Sequence, residues 1–355
     1  MKIAIIGDLH IGVKSSNEVM MRHQARFFNF FLNELKNRNV GTIIQLGDIW
    51  DNRRQVNFRA LQFAQETFFE PINDAGIELH TLIGNHDIFY RETLDINSSG
   101  LLLRPYKHIH VYDEPTTLNF EKVSFDIIPW MCNDNKNICM EYMKNSKADY
   151  CCGHFEINNF EVMKGIPYEN GMDEENFGKY KQVFSGHFHI RSHRGNITYV
   201  GTPYELTWGD YNTPKGFLIF DTETNSWEYV ENPITYFYYI TYDECGGYIT
   251  NLDKMDLADC YIKLVIRSKK EEFIYNNFIN KLFKMKPADI KFVETNFMNL
   301  NESATIMDSK NIEVKDVIDL IKDYIDGTDY DRKDDLKAFF IDLYREAAAE
   351  SEKVT

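Results

Sequence analysis

Asp8 and His10 stand two residues apart just after the apolar run KIAII, and His187 and His189 repeat that spacing far along the chain. On extended backbone, residues two apart leave on the same side, so each pair can face one metal region. Between them lie Gly47-Asp48-Ile49-Trp50-Asp51-Asn52, Gly84-Asn85-His86-Asp87 and the isolated Gly153-His154. Carboxylate, imidazole and one amide oxygen form a mixed nitrogen and oxygen donor set, which suits manganese, iron or zinc better than the all-oxygen cages of calcium or magnesium. Taken singly, an Asp after a strand is more often a turn residue or a helix cap. Clusters that each follow a strand-like run shift the reading toward a metal centre. The remaining histidines read differently: His108 and His110 as an exposed strand face, His23 and His80 as ordinary helix and strand positions, His193 as a loop residue.

The elements that must position these groups are legible from periodicity. Residues 2–6, 41–46 and 77–83 are short β-branched apolar runs, each ending near a Gly and polar residues, as buried strands do. Helical spacing separates them: Met20, Phe27, Phe28, Phe31, Leu32 and Leu35 in one segment, Phe58, Leu61, Phe63, Ala64 and Phe68 in the next. Alternation of strand and helix predicts an α/β layered sheet with parallel neighbours, in which ligands gather beyond the carboxyl ends of the strands. After residue 108 the strand-like runs 124–128, 150–153, 182–185, 197–200 and 216–220 predict a second sheet in the same domain. The expected architecture is a two-sheet β-sandwich flanked by helices, of mixed α/β (α+β) class.

A break at Glu231-Asn232-Pro233 divides this from strand-like 236–242 and 260–267, helix-like 271–285 and strand-like 289–294. The expected organisation is therefore a large domain over 1–232, a small α+β domain over 233–298, a polar linker over 299–311 and a helix pair over 312–347. That pair carries apolar stripes at Val314, Val317, Ile318, Ile321 and Ile325, then at Leu336, Phe339, Phe340, Leu343 and Tyr344.

With 355 residues and 43% hydrophobic content, the chain can bury more than one sizeable core. The first apolar run is interrupted at Asp8, too early for a signal peptide or spanning helix, which leads us to expect a cytoplasmic protein. Six cysteines without CxxC spacing suit reduced thiols in such a compartment. A formal charge of −16 is unfavourable for binding a polyanion. Residues 301–355 hold fifteen of the acidic groups against eight basic ones, and bound divalent cations reverse the sign locally.

In order along the chain, D-x-H, G-D-x-x-D, G-N-H-D, a lone G-H and G-H-x-H resemble the motif set of calcineurin-like metallophosphoesterases. The resemblance implies two divalent metal ions, most simply Mn2+. It assigns Asp8, His10 and His189 to one ion, Asn85, His154 and His187 to the other, and Asp48 to a bridge between them. It gives His86 the role of general acid or transition-state donor. Asp51, by analogy with the phosphatase branch, would hydrogen-bond His86 and raise its proton affinity. Asp87 is expected as a turn residue or a support behind the ligands.

Protein phosphatases of this superfamily usually continue the second motif as D-R-G, whereas Asn52 follows Asp51 here and no Gly comes next. The stretches Gly7–Gly12, Asp74–His80, Ile128–Cys132 (IPWMC) and Gly201–Pro203 with Gly209-Asp210 resemble instead the nuclease subunits of SbcCD-type complexes. The phage recombination endonuclease subunits that pair with an SbcC-like coiled-coil ATPase are nearest in pattern. That implies a 3′ to 5′ exonuclease and endonuclease acting on double-stranded DNA ends in recombination and repair, in the host cytoplasm if phage-encoded. It also implies a homodimer of nuclease subunits within a heterotetramer, and a small domain over 233–298 that caps the site and binds DNA. Val317, Ile321, Phe339, Phe340 and Leu343 would then dock on the ATPase. Arg53, Arg54, Arg59, Arg191 and Arg194 lie near motif loops and are candidates for DNA phosphates. Two other readings stay open: a stand-alone phosphatase or cyclic-nucleotide phosphodiesterase, which would not need residues 312–347, and a non-catalytic scaffold, which would not need the intact ligand set.

Overall fold

The structure, a computed structural model, describes residues 1–163 and 166–294 together with Lys333 and Lys337. The linker, the helix pair and the five docking residues expected there lie outside the described residues.

The first sheet grows from β1 (Lys2–Ile6), β2 (Thr42–Gln45), β3 (Glu78–Leu82) and β4 (Ile109–Tyr112), all parallel. Helix α1 (Glu18–Arg38) connects β1 to β2, and α2 (Phe58–Ala64) lies between β2 and β3. The Asn17 side chain starts α1 by accepting from the amides of Val19 and Met20, and Asn39, left-handed at φ 55°, ends it. Within the stripe expected for α2 one residue departs: Phe58 is 88% exposed. It occupies the first turn, just after the Asn57 cap, one turn short of the part that packs through Phe63 and Ala64.

The second sheet takes β5 (Thr116–Phe120), β6 (Val123–Ile128), β7 (Tyr150–His154), β8 (Gln182–Gly186), β9 (Ser192–Arg194) and β10 (Ile197–Tyr199), with α3 (Lys136–Asn145) between β6 and β7. Its order is β9-β10-β8-β7-β6-β5, and β6, β7, β8 and β10 run parallel. Two more strands, β11 (Gly216–Asp221) and β12 (Ser226–Glu231), return to the first sheet beside β1, giving β12-β11-β1-β2-β3-β4.

Alternation along β1 shows the layering. Ile3 and Ile5 join Phe125, Cys152, Phe184 and Phe220 in a core between the two sheets, while Ala4 and Ile6 face the helices with Phe27, Phe31 and Phe68. On the far side, Cys151, Val183 and Ile197 pack against Cys139 and Met143 of α3. The result is the mixed α/β sandwich with helices outside both sheets. A third sheet follows, β14-β13-β15-β16, from β13 (Phe237–Asp243), β14 (Tyr248–Ile249), β15 (Tyr261–Ser268) and β16 (Asp289–Glu294). Helix α4 (Glu272–Lys284) lies between β15 and β16, and Ile240, Ile262, Leu264 and Leu282 form a separate core there.

Candidate dimetal centre

Parallel strands of both sheets end on the same side of the sandwich, and the loops that leave those ends carry the motif residues. Asp8 and His10 follow β1, Asp48 follows β2, Asn85 and His86 follow β3, His154 ends β7, and His187 and His189 follow β8. His10, Asp48 and His187 have positive φ, at 43°, 54° and 86°. Such backbone is costly for residues with a Cβ and persists where surrounding contacts hold it, as at functional sites. Two glycines allow the loops to meet: a Cβ on Gly84 would lie 2.2 Å from Oδ1 of Asp48, and one on Gly186 would lie 2.5 Å from Oδ1 of Asp8.

The ligand-capable atoms among the described residues fall in three overlapping groups, Asp8 with His10 and His189, Asp48 with His154 and His187, and His10 with Asp48 and His86, the atoms of each within 4.8 Å of one another. Nε2 of His10 is 3.1 Å from Nε2 of His189. Around the second group, Oδ1 of Asn85 is 2.8 Å from Nε2 of His154 and 2.9 Å from Nδ1 of His187. Far-side contacts select which nitrogen turns inward. Nδ1 of His154 donates to the carbonyl of Leu46 at 2.7 Å, and Nε2 of His187 faces Glu156 at 3.2 Å. Carbonyls and carboxylates behind a ligating imidazole fix its tautomer and orientation in this way.

Asp8 and Asp48 are 1% and 2% exposed, and their ion pairs are with histidines. Burial by itself disfavours an imidazolium, yet the carboxylates of Asp51, Asp48 and Asp8 outweigh it and lift His10 to about 9. His154 rises to about 9 against the same burial penalty, through Asp48, Asp8 and the Leu46 carbonyl. Asp48 is held well below the usual carboxylate range despite its burial, by His154, His86 and His10. The negative potential that raises proton affinity at these rings is also what divalent cations would neutralise. Among the described residues no Lys or Arg forms an ion pair with Asp8 or Asp48, and the buried carboxylates, imidazoles and amide oxygen that converge fit the two ions in donor chemistry and in charge.

His86 joins His10 and Asp48 in the third group and is tied to the loop after β2 by two hydrogen bonds. Its backbone N–H donates to Oδ1 of Asp48 at 2.7 Å, and its Nδ1 donates to the backbone carbonyl of Asp51 at 2.6 Å. The expected bond from the Asp51 carboxylate is not formed. That carboxylate instead lies 3.5 Å from Nδ1 of His10, an ion-pair distance. Burial pushes His86 down from its ordinary value, with the Asp48 charge opposing, so the proton affinity is not raised in the expected way. Because a carbonyl only accepts, the neutral ring carries its proton on Nδ1 and presents Nε2 away from Asp51.

Asp87 supports the centre more than sequence position suggests. Its carboxylate accepts from the amides of Asp48, Ile49, Trp50 and Gly84, tying the loop after β2 to the loop after β3. Gln45 adds a second tie, with Nε2 on the carbonyls of Gly7 and Gly47 and Oε1 accepting from the amide of Gly47 and the hydroxyl of Thr81. Trp130, from the IPWMC stretch, borders His154 and His187 with ring centroids at 5.8 and 5.2 Å. Glu156, unassigned from sequence, was within reach of the spacing rule: it is two residues past His154, as His10 is two past Asp8.

The arginines divide. Arg53 is half-buried and close enough to Asp48 and to Arg91 to feel both charges. Arg59 is engaged by Glu18 at 3.1 Å, Arg191 stacks on Tyr229 at 4.0 Å, and Arg194 pairs with Glu174 at 3.1 Å. His108 and His110 share the Glu78 carboxylate, each at 2.7 Å, across β3 and β4. Arg91, close enough to Arg53 for their charges to oppose, was not singled out from sequence.

The fold and the site define a calcineurin-like phosphoesterase. The model of that family matches residues 1–219, and the chain belongs to it. It is 35% identical over 337 residues to exonuclease subunit 1 of Enterobacteria phage T4, covering 94% of this chain and 96% of that protein. It is 24% identical over 256 residues to a subunit of the nuclease SbcCD of Staphylococcus epidermidis, covering 63% of this chain and 67% of that protein. DNA double-strand break repair protein Mre11 of Nanoarchaeum equitans is 21% identical over 243 residues, covering 62% of this chain and 66% of that protein. Among the described residues, no helix is long and apolar enough to cross a membrane.

Proposed function

We infer that the chain is a metal-dependent DNA nuclease that hydrolyses phosphodiester bonds in recombination and repair. The observation that carries this is the convergence of Asp8, His10, Asp48, Asn85, His154, His187 and His189 on one face of the sandwich, with His86 beside them, to which we assign the part of a proton donor and not of a ligand. Relatives named as nucleases, one of them matched along nearly its whole length, support DNA as the substrate over a small phosphomonoester. The intact ligand set weighs against a scaffold.

Two ions held by these residues would supply Lewis acidity toward the phosphate and a nucleophile at neutral pH. The chain's own part is placement. Asp48, hydrogen-bonded through Oδ1 to the His86 amide, keeps a fixed distance between the ligand groups and the imidazole. His86, locked at Nδ1, presents Nε2 on its other side, and in the doubly protonated ring, whose charge Asp48 favours against burial, the proton on Nε2 would assist departure of a leaving oxygen. Arg53 adds positive charge beside Asp48, with Arg91 close to it, and we assign these two arginines to DNA phosphates.

Manganese is the expected ion, because four of the seven ligand candidates are imidazoles. The protein should release nucleotides from double-stranded DNA with Mn2+ and lose that activity to a chelator, while turning over an aryl phosphate poorly. Full activity with Mg2+ alone in metal-stripped protein would overturn the manganese assignment, and preference for the aryl phosphate would overturn the nuclease. A coiled-coil ATPase partner is part of the proposal, with the apolar stripes of 312–347 as its docking element. Co-purification of the ATPase with the full chain, and its loss on ending the chain near Asn299 with cleavage of short DNA retained, tests that assignment.

A further inference from the structure

We propose that Lys215, held by Asp210 and Thr202, is a positioning residue for the Asp8–His10–His189 half of the centre, an inference that rests on reading these residues as metal ligands. His189 lies between β8 and β9, where no strand pairing among the described residues fixes its backbone. Its carbonyl is held from outside: Nζ of Lys215 donates to it at 2.9 Å and the amide of Thr202 at 3.2 Å. Lys215 is 4% exposed, and its ammonium divides its three donors between that carbonyl, the Thr202 hydroxyl at 2.8 Å and Oδ1 of Asp210 at 2.6 Å.

Asp210 is as buried as Lys215, and its other oxygen accepts from the amides of Leu206 and Thr207 at 3.0 and 2.8 Å. The ion pair is thus satisfied on both sides, the condition under which a buried pair is tolerated. Gly201, at φ 76°, keeps the approach open, since a Cβ there would lie 3.0 Å from the carbonyl of His189. The ammonium is a cation placed one residue's length from a site meant for cations. Asp210 neutralises it, so the lysine serves as a rigid hydrogen-bond donor without repelling the ion that His189 would hold.

Lys215→Met keeps the aliphatic stem and removes the donor. In the full chain, titration of Mn2+ followed by the electron paramagnetic resonance of the free ion should show one of two binding events weakened by about 10-fold to 100-fold, the usual effect of removing a support behind a ligand. Raising Mn2+ should restore turnover close to the parent value, placing the loss in metal affinity and leaving kcat largely unchanged. Thr202→Val, a milder change that keeps the ion pair, should weaken the same event by about 3-fold, as expected for one neutral hydrogen bond. If Lys215→Met melts at a lower temperature yet binds both ions as tightly as the parent, Lys215 is structural only and the proposal fails. Should Lys215→Met not fold, unchanged binding in Thr202→Val overturns it. If the parent chain binds no pair of Mn2+ ions, the ligand reading itself is at fault.

Discussion

Asp51 meets His86 through its backbone and not its side chain: the carbonyl is 2.6 Å from Nδ1 of His86, while the carboxylate lies 3.5 Å from Nδ1 of His10. One residue therefore serves His10 and His86 through different atoms. Replacing Asp51 with Ala removes the group on His10 and leaves the one on His86. The expected result is weaker binding of the ion at Asp8 and His10, by about 10-fold, with turnover recovered at high Mn2+. A loss of turnover that excess metal does not restore would return the carboxylate to a role on His86.

His86→Gln should lower turnover by roughly 10²-fold to 10⁴-fold, the range for loss of a general acid. Both ions should stay bound, because His86 is turned to the Asp51 carbonyl and contributes no ligand atom in the proposed scheme. Asp48→Ala should lose metal as well as activity. Metal content measured on the two purified variants separates the roles, and equal loss in both would remove the distinction.

Asp87→Ala leaves the amides of Asp48, Ile49, Trp50 and Gly84 without their acceptor in a buried position. Unpaired buried donors cost about 1–3 kcal/mol each in isolation and relax in company, so destabilisation of roughly 3–5 kcal/mol is expected. Urea unfolding of parent and variant measures it. A change under about 1 kcal/mol would mean that water replaces the carboxylate.

For DNA, Arg53→Ala and Arg91→Ala should each weaken binding and reduce the slope of log affinity against log salt by about 1, the signature of one lost phosphate contact. Arg59→Ala should leave the slope unchanged, because Glu18 already engages that guanidinium. Filter binding at several salt concentrations reads all three, and a slope change confined to Arg59→Ala would reverse the assignment.

Burial, with the neighbouring His110 charge, pushes His80 down to about 4, against an ordinary 6.5. Between those values the unfolded chain binds more protons than the folded one, so stability is complete above pH 6.5 and is lost as pH falls toward 4. The loss is on the order of 1–2 kcal/mol after allowance for partial solvent access. His80→Gln should flatten the difference in unfolding free energy between about pH 7 and about pH 5 by that amount. An equally steep fall in the variant would place the titration elsewhere.

The types of the ligand residues and their place just beyond the strand ends were legible in the sequence, because β-branched runs ending at glycines mark those ends. The two-residue spacing did not carry over: His10 and His187 have positive φ instead of extended backbone, and His187 and His189 join different groups. What local spacing does not contain is the identity of partners brought in by packing. Asp51 and His86 are 35 residues apart, Lys215 and His189 are 26 apart, and Glu156 reaches His187 from 31 residues away. Likewise, periodicity placed Phe58 on a buried stripe, but the helix begins one turn before it reaches the core. Charge and a place near the motif loops made Arg59 and Arg191 candidates for DNA, whereas folding set Glu18 and the Tyr229 ring against them. Backbone geometry determines where a side chain leaves the chain; only the approach of another segment decides which atom it meets.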